Sequence, residues 1–81
     1  MNGFIVVGYS DNNAFYVSNT SPITWANKIS ESKIFDSYRR TKSELEENFI
    51  SLSATITNTN LRSIFILEYS NDIEVGREKF L

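Results

Sequence analysis

Two stretches of this chain, residues 4–7 (FIVV) and 64–67 (IFIL), are apolar at every position. Successive side chains of a β-strand point to opposite faces, so each stretch, read as a strand, is apolar on both sides. An antiparallel sheet with one solvated face would alternate apolar and polar residues instead. Whatever fold the chain adopts must therefore cover both faces of its central strands. Either its own segments do so, or another molecule does, because a bare apolar patch of several hundred Å² is unusual on a free monomer.

The remaining elements follow from local signals. Residues 4–9 (FIVVGY) end at Ser10, Asp11, Asn12 and Asn13, a strong turn composition, and residues 14–18 (AFYVS) return as a second strand of a hairpin. Pro22 keeps Ser21 out of helical geometry. Residues 23–25 are expected to be short and extended, and residues 30–34 to form a single helical turn. From Asp36 or Ser37 to about Ala54 the apolar spacing is helical: Tyr38, Leu45, Phe49, Leu52 and Ile56 make one stripe. Asp36 or Ser37 caps an early start, while Thr41 with Glu44 would cap a later one; Tyr38 on the stripe favours the early start. Residues 57–60 (TNTN) break the helix. Residues 61–69 (LRSIFILEY) form the clearest strand, residues 73–75 a short edge strand, and residues 76–81 a loose tail from which Phe80 and Leu81 dock.

The expectation is an α+β fold, ββαβ with a final β as an option. It consists of a small antiparallel sheet of three to four strands, with one helix packed on one face, in a single domain spanning residues 1–81. Eighty-one residues leave no room for a second core. The single Trp, Trp25, lies in a long connection otherwise rich in Asn, Ser and Lys. It reads as a plug at one end of the core, its indole N–H reaching a backbone carbonyl.

Composition excludes several chemistries. The chain has no His and no Cys, so Ser-His-Asp and Cys-His nucleophiles and His/Cys zinc sites are ruled out. Its three glycines, Gly3, Gly8 and Gly76, form no phosphate-cradling loop. No enzyme, metal or cofactor is expected. The first residues lack the basic region of a signal peptide and no apolar run is long enough to span a membrane, so a cytoplasmic protein is expected.

Charge is segregated. Residues 28–42 carry five bases against two acids, and the rest of the chain three bases against eight acids, for a net charge of −2. Tyr38, Arg39, Arg40 and Lys42 cluster at the helix start, where cations oppose the helix dipole, and Glu44, Glu46 and Glu47 follow one turn later. These seven residues are the candidate partner-binding set. An aromatic ring beside cations can also stack a base and hold phosphates, which makes a short-footprint nucleic-acid-binding site the alternative.

The run Phe15-Tyr16-Val17, then Thr24-Trp25, Ile29, Lys33 and Phe35-Asp36-Ser37 opening a Glu-rich helix, resembles small uncharacterised phage proteins with a YYV…W…A(K)xF-(D/S/T) layout, over residues 14–50. Ser32 departs from the Ala usual there. The resemblance implies an accessory protein that binds a host protein, such as a defence enzyme, and inhibits or modulates it. Together with the residues themselves it points to a non-enzymatic protein-binding module acting in the host cytoplasm. A homodimer is compatible with either binding reading.

Overall fold

A computed structural model describes the whole chain, Met1–Leu81. Five strands form one antiparallel sheet: β1 Gly3–Tyr9, β2 Ala14–Thr20, β3 Ile23–Ala26, β4 Ser63–Ser70 and β5 Ile73–Lys79, in the order β3-β2-β1-β4-β5. Two helices, α1 Tyr38–Glu47 and α2 Phe49–Thr59, pack on one face of the sheet, and a short 3-10 turn spans Ile29–Glu31. The α+β class is as the sequence implies. The sheet is wider than expected and the helical segment is divided.

The extra strands are those with weak apolar alternation. Residues 76–79, read from sequence as part of a loose tail, continue β5 to Lys79, and Phe80 packs against the core. The polar row Glu74, Arg77, Glu78, Lys79 hides the strand because both of its faces are solvated at the sheet edge. A two-residue turn joins β4 to β5, with Asn71 and Asp72 both at positive φ (52° and 65°), the geometry that matches the twist of a hairpin.

The helix begins where expected. Ser37 is extended, and its side chain accepts from the Arg40 amide at 3.0 Å. At Asn48 the ladder bends: its φ of −112° and ψ of 30° leave helical geometry, and its side-chain amide donates back to the Glu44 carbonyl at 2.9 Å. The Glu44 carbonyl thus accepts from both the backbone and the side chain of Asn48 at the bend. Beyond the bend α2 runs through Thr59, past the break expected at residue 57. Thr57 and Thr59 return their hydroxyls to the carbonyls of Ser53 and Thr55, and Asn60 closes the helix in the left-handed conformation.

The long connection before α1 is built into the sheet. β1 and β2 pair only at residues 7–9 and 14–16. Below that point they diverge and residues 33–35 fill the gap: Lys33 N–H donates to Val17 O at 2.8 Å, while Phe4 and Phe35 exchange backbone hydrogen bonds at 2.9 and 2.8 Å. Phe35 is consequently in the core.

Both faces of the central strands β1 and β4 are covered from within. On the helix side Val6, Val17, Ile23, Phe35, Leu45, Leu52, Ile64 and Ile66 make the main core. Trp25 joins this side, packed near Gly8. Its indole nitrogen is buried with no hydrogen-bond partner, so the carbonyl contact read from sequence does not form. On the opposite side Ile5, Val7 and Leu67 are buried beneath Tyr9, Tyr16, Phe65 and Tyr69, flanked by Met1 and Ile29. The Arg77 guanidinium lies over the Tyr9 and Phe65 rings at 5.8 and 5.3 Å, donates to the Tyr9 hydroxyl, and is held bidentately by Glu74. Amphipathic side chains, with apolar bodies inward and polar tips outward, thus close the second face.

Candidate functional site

The seven candidate residues all lie on α1, and the helix divides them between two sides. Tyr38, Lys42 and Glu46, at successive turns, line an open groove together with Phe49 at the start of α2. The facing wall comes from the end of β5 and the residues after it: Glu78, Lys79, Phe80 and Leu81. The groove has a volume of about 430 Å³. Its lining combines aromatic and aliphatic side chains with groups of both signs of charge. Partial burial, and then the neighbouring Glu78 carboxylate, hold the Tyr38 phenol above its usual value. The Tyr38 ring packs edge-on against Phe4, centroids 6.5 Å apart, which anchors this side of α1 to the sheet.

Arg40, Glu44 and Glu47 line the other side, a wholly polar hollow with Thr20, Ser21, Ser43 and Asn48. Glu44 is its hub. Its Oε1 accepts from the Thr20 hydroxyl at 2.7 Å and the Lys33 ammonium at 3.2 Å, and its Oε2 accepts from Arg40 Nε at 2.9 Å. The Thr20 hydrogen bond, reinforced by Lys33 and Arg40 and opposed by burial, holds the Glu44 carboxyl below the ordinary carboxylate value. Glu44 therefore joins α1 to β2 and to the inserted connection, instead of standing free for a partner. Arg40 is engaged with it. Arg39 is exposed at the first turn of α1. Arg39, Lys42, Glu46 and Glu47 have no oppositely charged group within ion-pair distance in the chain.

Sequence reasoning placed Phe49 in the core stripe. In the structure Thr41 occupies the inward position one turn before Leu45, and the core row continues from Leu45 to Leu52. The bend at Asn48 leaves Phe49 47% exposed, and its neighbour Ile50 is 89% exposed. A second open hollow next to the groove is lined by Glu46, Phe49, Ile50 and Ala54, so the two share Glu46 and Phe49 and form one continuous surface. Leu81, 48% exposed, borders it. Ile50 carried no sequence signal: it lies off the helical stripe, and its exposure shows only in three dimensions.

No helix is long and apolar enough to cross a membrane. No protein-family model, curated protein or solved structure matches the chain.

Proposed function

We propose that the chain is a non-enzymatic protein-binding module whose contact surface is the outer side of α1 with the α1–α2 bend. The observation that carries this reading is the pair Phe49–Ile50, two large apolar side chains presented side by side next to an open groove. Ile34, Ile73 and Val75 are also exposed, but none of them lines the groove or the hollow beside it, whereas Phe49 and Ile50 stand in that concave setting. Exposed apolar residues rimmed by charge are the usual composition of a contact patch, with an apolar centre giving affinity and the rim giving orientation. Lys42, Lys79, Glu46 and Glu78 supply that rim. The likeness to phage accessory proteins supplies the wider setting, in which the target is a host protein.

The test is capture on immobilised chain from bacterial extract supplemented with untagged chain. The double variant Phe49→Ser/Ile50→Ser serves as the matched control, because neither side chain is in the core. A protein retained by the wild type and lost on the variant is the expected result. Equal retention by both would place the contact elsewhere and overturn the reading.

A further inference from the structure

We infer that the Asn2–Gly3 peptide is a site of spontaneous deamidation whose rate is set by the β4–β5 turn. It is the only Asn-Gly step in the chain, and Asn2 is exposed just ahead of β1. A glycine after asparagine leaves the next amide nitrogen without a shielding side chain and with a freely turning backbone, so that nitrogen reaches the Asn side-chain carbonyl readily. The fold holds this glycine in place. Gly3 has φ of +132°, and a Cβ there would meet the Phe35 carbonyl oxygen at 2.7 Å and Ile34 Cγ2 at 2.8 Å.

The Gly3 amide nitrogen attacks Asn2 Cγ. A bond forms between them, the Cγ–Nδ2 bond breaks, and ammonia leaves with the amide proton. Water then opens the cyclic imide. Addition at Cγ gives Asp at position 2 on an unchanged backbone. Addition at the main-chain carbonyl of residue 2 gives isoaspartate, whose backbone runs through the side chain and is longer by one methylene. Water enters and ammonia departs, so no oxidant or reductant is needed.

The position of the Asn2 side chain governs the step. Its Cγ must swing over the Gly3 nitrogen, but Asn2 Oδ1 accepts from the Asn71 amide at 2.7 Å and is held against the turn. The Met1 carbonyl accepts from the next amide, that of Asp72, at 3.1 Å. With Asn71 and Asp72 both at positive φ, the turn presents these successive amides to residues 1 and 2. Gly3 itself is paired with Tyr69 at the end of β4. The reactive geometry is therefore reached when this corner of the sheet opens locally. Isoaspartate then cannot return to the same register, because the added methylene separates Asn71 from Tyr69 as partners of consecutive residues. The displacement falls next to the Phe4–Phe35 exchange that holds the inserted segment. Transient openings of the corner are thus converted into a permanent change in the chain.

Peptide mapping by mass spectrometry of the intact chain, aged in mildly alkaline buffer, reads the inference directly. The expected result is that the amide-to-acid mass gain appears first in the peptide holding Asn2 and is absent from that peptide in Asn2→Gln. A gain that appears first at another asparagine would overturn the site. Ageing in denaturing urea should speed the reaction at Asn2 about tenfold or more, since the corner is then open throughout. Equal rates in the folded and unfolded chain would overturn the control by the fold. Asn71→Ala, disfavoured at a φ of 52°, loosens the turn at an exposed position and should speed the reaction in the folded chain about threefold or more. A rate unchanged by this variant would overturn the turn as the governing contact. The isolated isoaspartyl chain should exchange the Phe4 and Phe35 amide hydrogens about tenfold faster than the unaged chain. Unaltered exchange would overturn the displacement of the inserted segment.

Discussion

The Lys33 ammonium stands 3.2 Å from Glu44 Oε1, and the pair joins a segment inserted in the sheet to the helix above it. Thr20 and Arg40 complete the set of donors, and the Glu44 side chain is only 16% exposed. A carboxylate so enclosed and so fully hydrogen-bonded is expected to be worth more than a surface ion pair.

Glu44→Gln is therefore expected to destabilise the fold by about 2 kcal/mol at pH 7. The folded-state pKa lies below the unfolded one. The contribution of the ionised group is thus present above the ordinary carboxylate value of 4.5 and is lost as pH falls through the folded value. Urea titrations at pH 7 and at about pH 3 should show the gap between wild type and variant closing in acid. A gap that persists unchanged would mean that the carboxylate charge is not what matters.

Gly3 has φ of +132°, and a Cβ built there would lie 2.7 Å from the Phe35 carbonyl oxygen. Gly3→Ala should cost about 2 kcal/mol or more, from strain and from displacement of the inserted segment. Hydrogen exchange at Phe4 and Phe35 should accelerate with it. Unaltered protection at both amides would refute the link.

Trp25 offers the opposite case. Its buried indole N–H has no partner, so Trp25→Phe removes an unsatisfied donor and should change stability by less than about 1 kcal/mol. Trp25→Ala, which leaves the space beside Gly8 empty, should cost about 3 kcal/mol. Comparable losses in the two variants would show that the indole makes a polar contact in solution.

Arg77 tests how the second sheet face is closed. Lys at this position keeps the charge but loses the planar fork that Glu74 grips and that lies over Tyr9 and Phe65. Arg77→Lys is expected to lower stability by about 1 kcal/mol and to increase binding of a hydrophobic dye. No change in either would show that the aromatic side chains close the face without it.

Much of the fold is legible wherever the signal is local. The hairpin of β1 and β2 follows from β-branched residues around a polar turn, β4 from its apolar run, and the start of α1 from Ser37. What escaped depends on distant partners. Residues 33–35 carry no strand pattern of their own and become part of the sheet because β1 and β2 diverge beside them. The strand at residues 76–79 is too polar to alternate visibly. α2 runs on through three weak helix formers because Ile56 packs on the core and the Thr hydroxyls return to the backbone. The candidate cluster was found as a segment but not as a geometry: spacing alone could not tell that Glu44 would be enclosed by Thr20 and Lys33, nor that Phe49 would turn outward at the bend.

The strand order places the first strand at the middle of the sheet, with β2 on one side and β4 on the other. Its longer pairing is with β4, from Gly3↔Tyr69 to Tyr9↔Ser63, which joins opposite ends of the chain. When residues 3–60 have emerged from the ribosome and β4 has not, β1 therefore has its longer edge still bare. Most of its apolar length must wait for β4, so the sheet is expected to form as a single event after β4 emerges, with no stable unit of residues 1–60 preceding it. Until β4 pairs with it, the apolar run at residues 4–7 stays uncovered, and that interval is the period of greatest vulnerability to aggregation.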